Sequence, residues 1–268
     1  MEMVYLIVDQ NNASFHAVSF SGGKDSTFML LRMIEKGMPV DAVLYADTGM
    51  EFPEMYEHIA KVDDLLFRER GIHMTTLRHP KGFEYLMFEE PKTKPSCIKN
   101  RNKLGIPTFG NGWPGIRVRW CTGQLKTHLI NKEVNRLKRE KNAIHYVGIA
   151  ADEAWRCKGA KYPLVEWSID EKDALLGCYR RGYDFGGLYH IYHRCSCWCC
   201  PFQRIDELRK LRRYHPELWQ RLLDMDRRAF CQFGESPLGR FKERWRVEQL
   251  EYRFMQEDAQ KKSGILLN

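Results

Sequence analysis

Six residues, Ser21-Gly22-Gly23-Lys24-Asp25-Ser26, constrain this chain more than any others, because a strand pattern precedes them and a helix pattern follows. Residues 16–20 (His-Ala-Val-Ser-Phe) read as a short strand. Residues 25–36 place Phe28, Met29, Leu31 and Ile34 at roughly helical spacing, and Gly37 and Pro39 stop the helix. The glycine pair lets the backbone turn tightly and approach a ligand closely. The free N–H groups and dipole at the start of the following helix face an anion. Such a turn is built for a pyrophosphate. Ser21 and Ser26 add hydroxyl donors, Lys24 neutralises charge on a leaving group, and Asp25 caps the helix or holds Mg²⁺. The spacing is too short for the Walker loop. The plain alternative is an ordinary strand-to-helix turn.

The pattern repeats along the chain. Residues 41–46 read as a second strand ending in Asp47-Thr48-Gly49. Pro53 stands at a first helical position, the helix runs to about residue 70, Gly71 breaks it, and residues 73–77 read as a third strand. A fourth strand is expected over 143–149, ending at Ala150-Ala151-Asp152-Glu153. This order predicts an α/β fold with a parallel sheet, with ligands beyond the carboxyl ends of its strands. Residues 79–120, with Pro91, Pro95, Pro107 and Pro114, read as an irregular functional loop or lid. Helices are expected over 122–141 (strongly basic), over 170–181 with an Asp cap, and through most of 204–260. The expected division is a nucleotide-binding domain at 1–169 and a mainly helical, Cys-containing region at 170–268.

The six-residue string resembles the PP-loop signature of the ATP pyrophosphatases (the adenine nucleotide alpha hydrolase-like fold), which split ATP between its α- and β-phosphates and adenylate a substrate. Asp47-Thr48-Gly49 with Phe52-Pro53-Glu54 resembles a segment of the PAPS reductase-like (phosphoadenosine phosphosulfate reductase) branch of that superfamily. Arg119-Trp120-Cys121-Thr122-Gly123-Gln124-Leu125-Lys126 resembles that branch's R-W-C-x-x-x-L-K segment. Gly148 with Asp152-Glu153 and Arg156 resembles a later segment, but Ala150 stands where the motif has Arg, which removes one phosphate contact. The resemblance covers about residues 14 to 205. It implies ATP and Mg²⁺ as ligands and Lys24 and Asp25 as catalytic residues. It implies Ser21, Gly22, Gly23, Lys24, Asp25, Ser26, Asp47, Thr48 and Gly148 as nucleotide-binding residues, with Arg119, Lys126 and Arg156 as a phosphate or substrate clamp. Sulfonucleotide reductases carry a nucleophilic Cys in a terminal E-C-G-x-H motif. Residues 263–268 (Ser-Gly-Ile-Leu-Leu-Asn) lack it, and nothing around Cys231 matches it.

Nine cysteines, an odd number, argue against a disulfide framework. Four fall at Cys195, Cys197, Cys199 and Cys200. Cys197 and Cys200 have the Cys-x-x-Cys spacing that lets two thiolates reach one metal centre. Cys195 and Cys199 can add to the set, and Cys121 is the expected distant ligand, ahead of His190 and His193. An iron–sulfur cluster takes three or four thiolates and a structural zinc takes four N or S ligands, so both stay open on the residues. Similarity to DNA-phosphorothioation sulfurtransferase proteins, which handle sulfur, favours a [4Fe-4S] cluster over Zn²⁺. Cys97, Cys157 and Cys178 have no partner spacing.

Hydrophobic residues make up 43% of the 268 and charged residues 29%, which excludes a disordered chain. No apolar run approaches the roughly 20 residues of a membrane span, and residues 1–10 lack the basic start of a secretory leader, so the expectation is cytoplasmic, with no membrane partner. A net charge of +8 favours a polyanionic partner. The basic run from Arg204 to Arg213, followed by Trp219, Arg221, Arg227, Arg228, Arg240, Lys242, Arg244 and Trp245, interleaves charge with aromatics as a nucleic-acid surface does. For any one helix, the same pattern equally describes a solvated face over a buried Trp. The expected function is ATP-dependent adenylation of a substrate, nucleic acid first among candidates, for sulfur transfer from a donor protein. Two other readings stay open. One is a PAPS or APS sulfonucleotide reductase. The other is a nucleotide-gated nucleic-acid-binding module with structural zinc.

Overall fold

A computed structural model of the chain describes residues 14–116, 118–195, 197–242 and 244–262. Residues 1–10 and 263–268, which carry the expectations about a leader and a reductase tail, lie outside the described residues. The first elements are β1 (His16–Phe20), α1 (Lys24–Glu35), β2 (Ala42–Asp47), α2 (Pro53–Arg70), β3 (Thr75–Arg78), α3 (Gly82–Phe88) and α4 (Pro95–Lys103). A short helical turn, α5 (Trp120–Thr122), then runs through a π-helical turn (Gly123–Thr127) into α6 (His128–Lys141), followed by β4 (Ile144–Val147). After a 3₁₀ turn (Ala151–Arg156) come α7 (Pro163–Glu166), α8 (Glu171–Tyr179), α9 (Leu188–Ile191), α10 (Ile205–Tyr214), α11 (Pro216–Phe233) and α12 (Val247–Lys262).

The four strands form one sheet of order β3-β2-β1-β4. β1 pairs in parallel with β2 (Phe20 opposite Tyr45) and with β4 (Ser19 opposite Val147). The α/β expectation, a parallel sheet followed by a helical Cys-containing region, is therefore met. The chain divides into two compact units that it enters alternately. The first comprises the described residues of Met1–Ala46 with Ile59–Leu77 and Ile130–Tyr183. The second comprises Asp47–His58 with the described residues of Arg78–Leu129 and Asp184–Asn268. A boundary after residue 169 follows sequence order, whereas the units interleave.

In the first unit, Ala17 and Leu44 on the sheet meet Val134 and Leu137 of α6 and Ala143. The three-residue spacing of Val134 and Leu137 puts them on one face, as an amphipathic helix on a sheet requires. α1 is buried along Phe28, Met29, Leu30, Leu31 and Met33. α8 packs on α1 at Gly177, where a Cβ would come 2.1 Å from Cε2 of Phe28. Its N-terminus is capped as expected: the Asp170 side chain accepts from the Asp173 N–H at 2.7 Å.

The second unit corrects the reading of residues 79–120 as an irregular lid. Pro95 opens α4, a position where proline's missing N–H costs nothing. The following loop is organised by Arg101, only 6% exposed, which donates to the carbonyls of Pro107 (2.6 Å), Phe109 (2.9 Å) and Gly110 (2.7 Å). Gly110 sits so close to the carbonyls of Met87 and Phe88 that a Cβ would lie 2.7 Å from them. The expected helix over 122–141 is interrupted by the π turn. The basic tail is helical, as expected, but its charges are used within the unit. Arg209 pairs with Glu257, Arg212 with Glu251 and Asp258, Arg221 with Glu84, Arg227 with Glu248, and Arg228 with Glu89. Trp219 is buried and donates to Glu251. No described helix is long and apolar enough to cross a membrane.

Arg101 binds three carbonyls with one charged group. Replacing Arg101 with Ala strands those acceptors and is expected to lower the urea unfolding free energy by about 3 kcal/mol. Limited proteolysis of the same variant should show new cleavage within residues 104–110.

Candidate functional site

The loop of the first unit is assembled by its own hydroxyls. Gly22 has φ +79°, a conformation natural only to glycine. Ser26, 4% exposed, donates from Oγ to the Gly23 carbonyl at 3.0 Å and accepts from the Ser21 N–H at 3.1 Å. Its Oγ also lies 3.0 Å from that of Ser21. Thr27 donates to the Gly22 carbonyl at 3.3 Å. Gly23 caps α1 without a side chain, so the N-cap residue itself offers no side-chain acceptor to the helix. The structure thus gives Ser21 and Ser26 a part in holding the turn as well as a hydroxyl to offer.

Gly148, at the exit of β4, faces the same backbone. A Cβ there would lie 2.7 Å from Cα and 2.8 Å from N of Ser26. Glycine is required because the strand end and helix start touch through main chain, a reason independent of any nucleotide.

Lys24, the first residue of α1, is held between two carboxylates: Asp25 at 3.1 Å and Glu171, the first residue of α8, at 2.9 Å. Burial works against its charge, but Glu171 and Asp25 raise its pKa above the ordinary lysine value. For Asp25 burial prevails over Lys24, and with the charges of Glu171 and Glu153 it holds the carboxyl above the usual range. Asp25 Oδ1 is buried without a hydrogen-bond partner, an acceptor in need of a cation or donor. Arg156 is paired with Glu153 within the 3₁₀ turn. Glu171 was not singled out from the sequence, where it reads as one of several acids in the first turn of a helix. Only the packing of α8 on α1 brings it to Lys24.

Asp47 and Thr48 belong to the second unit. Asp47, 2% exposed, accepts from the Gly49 N–H at 2.7 Å, the Tyr56 hydroxyl at 2.9 Å and the Arg78 guanidinium. Burial opposes its charge, yet Arg78, the Gly49 N–H and Tyr56 together keep its carboxyl below the usual range. Its oxygens are engaged in shaping the turn.

Thr48 opens a network that the sequence did not reveal. Its hydroxyl donates to Glu51 Oε1 at 3.1 Å, and the same oxygen takes the Lys126 ammonium at 3.0 Å and the Cys197 thiol at 3.6 Å. Lys126 thus stands at an acid and a thiol. Burial works against its charge, but Cys197 and Glu51 raise its pKa. Burial and the Glu51 charge push the Cys197 thiol up to about 12, against the pull of Lys126 and Thr48. Cys199 is likewise raised by burial and by Cys197 and Cys200, and Cys121 by burial and by Cys200. Cys199 therefore lies within electrostatic reach of Cys121, Cys197 and Cys200, although Cys121 is distant in sequence. Cys195 bears on the hydroxyl of Tyr192.

The Cys loop is held by Trp198, 1% exposed, whose N–H donates to the Met50 carbonyl at 3.1 Å. Gln203 donates to the carbonyls of Cys197 and Trp198 at 3.0 and 3.1 Å. Among the described residues, no three His, Cys, Asp or Glu side chains converge closely enough to hold a metal ion. The thiols form a soft donor set, with the Lys126 ammonium as a cation beside them. Arg119 lies over the Phe202 ring, 4.9 Å from its centroid.

Residues 16–92 match the family model of the phosphoadenosine phosphosulfate reductase domain, a span that includes the loop, Asp47, Thr48 and Glu51. The chain is 26% identical over 227 residues to the uncharacterized protein MJ0066 of Methanocaldococcus jannaschii, covering 76% of this chain and 40% of that protein. It is 28% identical over 183 residues to an uncharacterized nin region protein, ORF290, of Escherichia phage lambda, covering 62% of this chain and 59% of that protein. The chain spans about half the length of the curated relatives it matches. Among solved structures it is similar to the U34-tRNA thiolase NcsA from Methanococcus maripaludis with its [4Fe-4S] cluster. That match has a TM-score of 0.38 and 15% identity, and covers 91% of this chain and 72% of that chain.

Glu171 competes with any entering phosphate for Lys24. Glu171→Gln is expected to tighten inorganic pyrophosphate binding by about 2- to 5-fold, the worth of a partly exposed ion pair. Isothermal titration of both proteins checks this. Equal or weaker binding by the variant would show that the pair does not oppose the anion.

Proposed function

We propose that this protein is an ATP-dependent adenylating enzyme that activates an oxygen of a nucleic-acid substrate and exchanges it for sulfur. The observation that carries this reading is the turn at the start of α1. There a helix N-terminus with glycine as its N-cap, the Lys24 ammonium and the buried, unpartnered Asp25 Oδ1 occur together. N–H groups and an ammonium suit the β- and γ-phosphates. The acids Asp25, Glu153 and Glu171 would repel a bare polyphosphate, so the nucleotide would enter as its Mg²⁺ complex, with Asp25 as the oxygen donor toward that ion.

In the first step the substrate oxygen attacks the α-phosphorus of ATP. The bond between that phosphorus and the bridging oxygen to the β-phosphate breaks, and pyrophosphate leaves with its charge met by Lys24 and the helix start. In the second step sulfur at the sulfide level, supplied by a donor protein, attacks the activated centre. AMP leaves with the original substrate oxygen, one proton is released, and no net oxidation occurs. The reading assigns the first step to the loop of the first unit and the handling of sulfur to the thiols of the second.

A [4Fe-4S] cluster, held by Cys121, Cys197 and Cys200, would supply iron that binds sulfide. The chain's own contribution is charge compensation. Thiols raised by burial must lose their protons to bind metal, and Lys126, anchored by Glu51, offsets the negative charge that results. The match of residues 16–92 to the PAPS reductase domain also supports a second reading, reduction of a sulfonucleotide.

Pyrophosphate release from ATP in the presence of candidate nucleic acids tests the first step. Lys24→Ala is expected to lower the rate by about 10²- to 10³-fold, the usual size for loss of one electrostatic stabiliser. ATP bound but never cleaved between its α- and β-phosphates would sink the adenylation reading. Thiol-dependent sulfite release from PAPS would favour the reductase instead. Protein purified without oxygen should carry iron and acid-labile sulfide, lost in Cys121→Ala, Cys197→Ala and Cys200→Ala alike. Retention in all three would remove these residues as ligands.

A further inference from the structure

We propose that Trp155, with Lys158 and Lys161, forms a stacking platform on which this protein seats an unpaired base of single-stranded nucleic acid. The inference rests on the nucleic-acid reading above and gives it a surface. Trp155 is 81% exposed, more than any other large hydrophobic side chain among the described residues. Leaving a tryptophan in water forgoes the burial that ordinarily stabilises it, and the exposed indole is a large flat face open to a ligand.

The segment carrying Trp155 is anchored along its length. The Ala151 N–H donates to the Ile169 carbonyl at 2.7 Å, and the Glu171 N–H donates to Asp152 Oδ1 at 3.3 Å. Arg156 is paired with Glu153, whose charge bears on Asp25 of the loop. The chain then returns to the edge of β4. There the Lys161 N–H donates to the His145 carbonyl at 2.8 Å, and the Val147 N–H donates to the Lys161 carbonyl at 3.0 Å. The indole is thus carried on a segment whose backbone is tied to the unit at both ends. Lys158 and Lys161 are exposed on the same excursion, and no acid pairs with either among the described residues. An exposed aromatic face and two such ammonium groups on one short excursion suit a base and its neighbouring phosphates.

The charge census favours this surface over the basic tail. The tail's arginines are largely paired with acids of their own unit and Trp219 is buried. A duplex keeps its base faces stacked, so a platform of this kind selects single strands.

Fluorescence anisotropy with a labelled oligouridylate, and with a hairpin duplex of equal length, tests the proposal on the full chain. Trp155→Ala is expected to weaken single-strand binding by about tenfold, one lost base stack, with duplex binding changed far less. Trp155→Phe should keep most of the affinity. The double variant Lys158→Ala/Lys161→Ala should make the fall of affinity with salt shallower. ATP affinity, measured in parallel, should be unchanged in Trp155→Ala. Unchanged single-strand affinity in Trp155→Ala overturns the proposal, as does wild-type protein that binds no single strand. Loss of ATP affinity in its place would assign the indole to adenine and also overturn it. Pyrophosphate release by the wild-type protein separates the two failures: where it persists, adenylation stands and only the platform falls.

Discussion

β1 is hydrogen-bonded along both edges, to β2 on one side and β4 on the other, and the arrangement of the first unit follows from that double pairing. With both edges claimed, the strand's end is fixed and α1 must start where the loop leaves it. Gly22 makes the turn and Ser26 ties it to the Gly23 carbonyl. Gly148, arriving at the end of β4, is pressed against the Ser26 backbone. The start of α1 is therefore held by the main chain of β1 and Gly148 and by the hydroxyls of Ser26 and Thr27.

Charge compensation is the second theme, and it takes a different form in each unit. In the first, Lys24 is shared by Asp25 and Glu171, an arrangement that keeps a partly buried ammonium solvated by protein groups. In the second, Lys126 serves Glu51 and Cys197. The motif resemblance expected Lys126 in a phosphate clamp, and the structure gives it a thiol for a neighbour. Arg119 on Phe202 and Arg156 on Glu153 are likewise engaged with protein groups. Residues grouped as one clamp by the resemblance thus have separate local occupations.

Much of the fold was legible because its causes are local. Strand–turn–helix periodicity, the proline at the start of α2 and the Asp170 cap depend on neighbours a few residues away. The same locality explains the failures. Pro91, Pro95 and Pro107 read as breakers, yet the loop they sit in is ordered by Arg101 binding three carbonyls, a contact no short window contains. The basic tail read as a polyanion surface because most of its acid partners lie 21 to 139 residues away, as Arg227–Glu248, Arg209–Glu257 and Arg228–Glu89 illustrate.

By itself the sequence determined the phosphate-type turn, the parallel α/β order and the presence of a thiol-rich loop, since glycine conformations, helix periods and residue spacing are properties of short stretches. Only the tertiary structure decided which charges meet. It brought Glu171 to Lys24 through the packing of α8 on α1, Glu51 to Lys126 and Cys197, and Arg78 to Asp47. It also left Trp155 in water while burying Trp198 and Trp219. The physical reason is that an ion pair or a buried ring is fixed by where distant backbones pack, and side-chain chemistry alone does not carry that distance information.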